Sequence, residues 1–215
     1  MFKTDVLVNV TTLLMPTISL LSTGLTKEWL TGLGFFVIVF ISVLLHEFGH
    51  GLVARKLGFK FDTVILHALG GLAIINDDDC AFKDPKTNLI ITLAGPAVNL
   101  GLAILFGILY ALSLNSILAY ISSINIILLV FNLFLPLYPM DGGRVLQGIT
   151  HLILNKITKR DCYKKSLIWS LYVSVIGSLV VSALALNAGM ISTAIIILII
   201  GLISLIMLLN RDSIK

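Results

Sequence analysis

Apolar residues in this chain gather in long blocks instead of alternating, and four blocks carry no formal charge: 6–26, 29–45, 88–138 and 166–210. A helix needs about 20 apolar residues to cross the hydrocarbon core of a bilayer. The blocks therefore predict spans near 6–24, 30–57, 88–113, 117–138, 166–187 and 190–209, the last two separated at Asn187-Ala188-Gly189. Pro16 and several Thr and Ser residues dilute the first of them. One stretch departs from the pattern. From Phe59 to Asn76, β-branched residues bracket Gly70-Gly71, which suggests a small membrane-associated β-hairpin or a re-entrant loop. The expected fold class is an all-α polytopic membrane protein of about six transmembrane helices with that one hairpin or loop.

Composition narrows the class further. Hydrophobic residues make up 58% of the 215 and charged residues 12%, about half the charged share of a soluble domain. Mean hydropathy is +1.06. A soluble fold of this size cannot hide so much apolar surface, and disordered, collagen-like and disulfide-scaffold chains are excluded by the same figures. With six spans, 14 of the 15 Lys and Arg residues fall on one side and Lys27 alone on the other. Positive residues mark the cytoplasm, so both termini are expected there. The net charge of +4 then reflects topology and contact with anionic headgroups, not nucleic-acid binding.

Cys80 and Cys162 stand alone in different loops without CxxC spacing, which argues against a zinc–thiolate cluster or a disulfide in a reducing compartment. Asp77-Asp78-Asp79 reads as a solvated turn. No repeat and no linker marks a second domain, so residues 1–215 are expected to form one domain.

Chemistry begins at His46-Glu47-Phe48-Gly49-His50, which interrupts an uncharged apolar span. On a helix, His46 and His50 share one face and can reach one metal. Glu47 lies about 100° round from His46, where it can reach a water on that metal and act as a general base. HExxH arises by chance in soluble proteins. Inside a span that explanation weakens, because ionisable groups there are costly and usually functional. Arg55 lies nine residues beyond His46, which puts the motif about 13 Å below the cytoplasmic end of its helix.

A catalytic zinc takes three protein ligands plus water, and His67, His151 and Asp141 are the candidates for the third. Asp141 is the stronger one. It closes a run, Asn132 to Gly143, in which two prolines and two glycines break an apolar span. Non-helical backbone at membrane depth is tolerated only against protein or a wet cavity, and a carboxylate there needs a cation. Pairing with Arg144 is the ordinary alternative. Asn99 and Asn132 are polar residues within spans, suited to interhelix hydrogen bonds or to substrate positioning.

HEFGH in a span, then Leu93-Ala94-Gly95-Pro96-Ala97-Val98-Asn99-Leu100, then the Asn132…Pro136…Asp141-Gly142 run, resemble the site-2 protease family of intramembrane metalloproteases over roughly residues 30–150. The resemblance implies one Zn²⁺ held by His46, His50 and Asp141, with Glu47 activating water. It also implies a loop beside the active site, here around Gly70-Gly71, where an edge can pair with an extended substrate. Asn132 precedes Asp141 by nine residues, one more than the family's usual interval. The chain leaves no room for the PDZ or nucleotide-sensing domains that the family often adds, so a bare catalytic core is expected. The expected activity is hydrolysis of peptide bonds within or near transmembrane segments, releasing a signalling or regulatory fragment from a membrane-protein substrate in the bilayer. The alternatives are a membrane zinc transporter or storage protein, which would not need Glu47, and an inactive scaffold that holds a transmembrane partner.

Overall fold

A computed structural model of the chain describes residues 5–13, 17, 20–21, 24–67, 70–76 and 84–210; Asp77-Asp78-Asp79 and Cys80 lie outside them. The elements, in chain order, are β1 (Asp5–Val8), a short 3₁₀ helix (Val10–Leu13), α1 (Lys27–Lys56), β2 (Lys60–His67), β3 (Gly70–Asn76) and α2 (Pro85–Ser113). Then follow α3 (Ser116–Phe134), α4 (Asp141–Thr158), α5 (Tyr163–Asn187) and α6 (Ile191–Leu209). Among the described residues α1, α2, α3, α5 and α6 are long and apolar enough to cross a membrane. The protein is a multi-pass integral membrane protein. The chain forms two compact units, Met1–Ala81 with Ala94–Leu129, and Phe82–Leu93 with Val130–Lys215.

In the first unit Thr26 caps α1, its hydroxyl accepting from the Trp29 amide at 3.2 Å. The helix ends at Leu57, and Gly58 turns the chain with φ +94°, a conformation open to glycine. The returning strand β2 buries Phe61, Val64 and Leu66 against Phe40, Val43, Leu44 and Phe48 of α1. Gly51 lets it close in, because a methyl there would run into the Phe61 ring. The expected hairpin is present: β2 and β3 pair antiparallel, His67 with Gly70 and Lys60 with Asn76, with an irregularity between Phe61 and Thr63.

The start of the chain differs from expectation. Where a helical span was expected from residue 6, β1 pairs parallel with β2, Asp5 opposite Thr63 and Val8 opposite Leu66. The Thr12 hydroxyl then donates to the Leu66 carbonyl at 3.1 Å. The valines and leucine of that block fit a half-covered strand as well as a span, and a partner strand was on hand to accept their backbone groups.

In the second unit Asp84 opens α2. It accepts from the Thr87 hydroxyl at 2.7 Å and the Thr87 amide at 2.8 Å, and these bonds, the hydroxyl first, hold its carboxyl below the usual range. The span expected to reach 138 stops at Phe134, before Pro136 and Pro139. The irregular backbone that follows is satisfied from within the unit. The Tyr138 amide donates to the Ser174 hydroxyl at 2.9 Å, and the Tyr138 carbonyl accepts from the hydroxyls of Ser174 and Ser204. Ser174 belongs to a row at every fourth position of α5, Ser166, Ser170, Ser174, Ser178 and Ser182, all buried. Small residues let this helix approach α6 closely: Ser174 meets Ser204 at 2.7 Å and Ser182 donates to the Ala194 carbonyl at 3.2 Å.

A second correction concerns the stretch left between the spans expected at 117–138 and 166–187. Most of it is helix α4 with its polarity inverted. Gln147 and His151 are buried on one side, while Ile149, Ile153 and Ile157 are exposed on the other. Such a helix faces lipid with its apolar stripe.

Candidate metal centre

His46 and His50 are buried one turn apart on α1, and their Nε2 atoms face each other at 3.1 Å. Which ring nitrogens are free for a metal is decided several residues away. His46 Nδ1 is hydrogen-bonded to Asn99 Oδ1 on α2. Asn99 Nδ2 donates to Asn125 Oδ1 on α3 at 2.9 Å. Asn125 Nδ2 donates to the Ile121 carbonyl at 2.9 Å and to the Ser42 hydroxyl at 3.1 Å. Ser42 lies one turn before His46, so the chain of bonds leaves α1, crosses two helices and returns to it.

That chain has a direction. A backbone carbonyl only accepts, so the contact with Ile121 fixes Asn125 Nδ2 as donor and Oδ1 as acceptor. Asn99 must then donate from Nδ2 and accept at Oδ1, which requires His46 to carry its proton on Nδ1. In the neutral ring Nε2 then presents the lone pair, the form in which imidazole binds a metal. All three intermediaries are buried, Asn99 and Asn125 fully, so water does not compete for these bonds.

Two glycines shape the space around the motif. A methyl at Gly95 would sit 2.6 Å from His46 Nε2 and would also strike the His50 ring, so α2 must be bare there for the imidazoles to stand as they do. A methyl at Gly71, on β3, would come within 2.8 Å of the Glu47 carboxyl carbon. Glu47 is buried, with the hairpin backbone alongside it.

The first unit thus brings together His46, Glu47, His50, Asn99 and Gly71. Gly70 is the first residue of β3 and pairs with His67; the side chain of His67 lies outside what the structure describes. In the second unit Asp141 is the first residue of α4 and is buried. Gly142 and Gly143 pack against the chain before them, the former 2.7 Å from the Leu133 carbonyl oxygen and the latter 2.6 Å from Tyr138 Cα, as a methyl would measure it. Asn132 sits half-buried on the last turn of α3. His151 is occupied otherwise, its Nε2 bonded to Asp161 Oδ1 at 2.8 Å. Sequence reasoning passed over Ser42, Asn125 and Gly95. The first two were legible only as polar residues in apolar spans, and Gly95 only as part of a motif.

The sequence profile of peptidase family M50 matches residues 34–115. A zinc metalloprotease of Methanocaldococcus jannaschii is 34% identical over 176 residues, 79% of this chain and 43% of that protein. A Mycobacterium tuberculosis protein named Rip3 is 36% identical over 129 residues, 56% of this chain and 32% of its own length. The chain therefore spans less than half the length of these curated relatives. The solved structure of a site-2 protease from Methanocaldococcus jannaschii superposes with a TM-score of 0.64 at 25% identity, covering 99% of this chain and 91% of that one.

Proposed function

Since the chain belongs to the site-2 protease family, peptidase family M50, we propose that it is a zinc metalloendopeptidase that cuts peptide bonds within or near the membrane-spanning segments of other membrane proteins. The observation that carries this reading is the facing pair of His46 and His50 Nε2 atoms, 3.1 Å apart and buried, with the His46 lone pair set by the bonded chain through Asn99. Two ring nitrogens so close need a proton or a cation between them. We assign Asp141 of the second unit as the third ligand, because two imidazoles with one carboxylate suit a catalytic zinc.

Zn²⁺ bound there supplies a Lewis acid that polarises a carbonyl and makes water more acidic. The chain's own residues do the rest. His46 and His50 hold the ion, and Asn99 keeps the His46 ring in one tautomer. Glu47 accepts a proton from the attacking water and passes it to the departing amine. Gly71 keeps the hairpin backbone close to Glu47, so an extended segment pairing with the sheet edge would lie beside the base. A helical substrate hides its carbonyls in its own hydrogen bonds, so it must unwind locally before it is cut. Release of a regulatory fragment from the substrate is the consequence we assign to the cut.

For orientation, we place the basic side of the protein in the cytoplasm, following the charge bias. The parallel pairing of β1 with β2 supports placing Asp5 on the same side as the end of α1, because Asp5 lies opposite Thr63, a few residues past Lys56.

The test is Glu47→Gln. Expected is loss of cleavage of a transmembrane fusion substrate in liposomes, with zinc retained at about one ion per chain, the stoichiometry of a single three-ligand site. Retained cleavage would remove Glu47 as the base and with it this mechanism.

A further inference from the structure

Away from the metal centre, the turn between α4 and α5 holds a cleft of about 280 Å³ lined by Thr158, Arg160, Asp161, Cys162 and Lys165. We propose that this cleft binds the phosphate of an anionic membrane phospholipid. The room suffices: it equals about nine water volumes at ~30 Å³ each, enough for a phosphate diester and its first waters. Its charge fits as well. Arg160 and Lys165 are exposed, and among the described residues neither takes part in an ion pair. The one carboxylate in the lining, Asp161, is exposed and is outnumbered by the two cations; its Oδ1 accepts from His151 Nε2 at 2.8 Å and from the Tyr163 amide at 3.0 Å. The Thr158 hydroxyl donates to the Leu154 carbonyl at 2.8 Å and accepts from the Arg160 amide at 3.4 Å, which keeps it a minor contributor.

The occupant follows from what flanks the cleft. On the α4 side the exposed stripe of Ile149, Ile153 and Ile157 leads up to it, and Ile157 is 72% exposed, one residue from Thr158. On the α5 side Trp169 and Tyr172 are exposed at one and two turns past Lys165, the aromatic belt that marks a bilayer interface. A soluble phosphate ester has no use for apolar flanks on both sides. A phospholipid does, since its acyl chains lie along the isoleucines and the aromatic rings while its headgroup enters between the cations. Cations near an anionic leaflet contribute about 1 kcal/mol each, or about fivefold in affinity.

Trp169 offers a direct readout. With Trp29→Phe removing the other indole, the full chain is reconstituted in phosphatidylcholine vesicles containing either brominated phosphatidylglycerol or brominated phosphatidylcholine. Quenching of Trp169 should show a preference of at least about fivefold for phosphatidylglycerol, the contribution of one cation. In Arg160→Gln/Lys165→Gln the preference should fall to near one, while quenching by brominated phosphatidylcholine stays unchanged. Should the double variant fail to fold, Lys165→Gln alone must lose most of the preference and Arg160→Lys must keep it. Lys156→Gln/Lys164→Gln removes the same charge outside the cleft and should leave the preference in place. An equal loss there would mean diffuse attraction to the leaflet and would overturn the site. Loss of the preference to inorganic phosphate, but not to chloride at matched ionic strength, would make it a soluble-phosphate site and overturn the lipid assignment.

Discussion

Asn99→Ala tests the directional chain of hydrogen bonds behind His46. The substitution removes two bonds at once, the one that fixes the Nδ1 proton of His46 and the one to Asn125 Oδ1. Loss of a partner behind a metal-bound histidine lowers metal affinity by about 10–100-fold, or about 1.4–2.7 kcal/mol. Interhelix hydrogen bonds within membranes average about 0.6 kcal/mol and reach about 1.7, so the two together cost stability of about 1–3 kcal/mol. Asn99→Asp separates these effects. A carboxylate still accepts from His46 Nδ1, but it cannot donate to Asn125 Oδ1, and Asn125 cannot turn its amide without giving up Ile121 and Ser42. Asn99→Asp should therefore keep zinc affinity at or above the parent level and lose thermal stability. Asn99→Ala should lose both. Zinc affinity is read by competition with a chromophoric chelator in detergent, and stability by thermal melts without metal. If Asn99→Ala held zinc within about threefold of the parent, well below the loss expected for such a partner, the chain of bonds would have no part in setting the ligand.

Asp141→Asn keeps the size of the side chain and removes the charge that balances the ion; zinc retention measured by atomic absorption should fall by at least about tenfold, whereas His67→Ala and His151→Ala keep the metal. Gly95→Ala and Gly71→Ala should divide along the site: the first pushes on the imidazoles and lowers zinc content, while the second pushes on Glu47 and lowers cleavage with zinc in place, so identical effects of the two would count against these separate roles. Cysteine introduced at Ala188 should react with an impermeant maleimide from outside intact cells, and cysteine at Lys156 only after permeabilisation; the reverse pattern would invert the protein in its membrane.

What the sequence disclosed, and what it withheld, follows the range of each interaction. His46, Glu47 and His50 were legible because one helical turn relates them and the apolar run around them excluded a casual surface helix. The spans were legible to within a few residues for the same reason, since each is a local run. The strand β1 was not, because its partner β2 lies far along the chain and no window of neighbouring residues contains both. Helix α4 was overlooked because its polar residues are inside and its isoleucines outside, the reverse of the pattern that marks a soluble helix. The isoleucines at every fourth position were nonetheless visible, as were the five serines of α5. Asn125 gave no sign beyond being an amide in an apolar stretch; its importance comes from one carbonyl contact within its own helix, which orients every bond that follows.

The parallel pairing of β1 with β2 also sets a timetable for biosynthesis. Asp5 pairs with Thr63, a residue made 58 positions later by those two numbers. At about 5–20 residues per second, the first strand waits about 3–12 s for its partner to be synthesised. The whole of α1 is made within that interval, so insertion of this helix into the bilayer can precede closure of the sheet. Slower translation between residues 27 and 67 would prolong the time that Asp5–Val8 spends as a lone strand, open to pairing with other nascent chains. Recoding this one stretch for slower translation should therefore raise the aggregated fraction without altering a single residue of the protein.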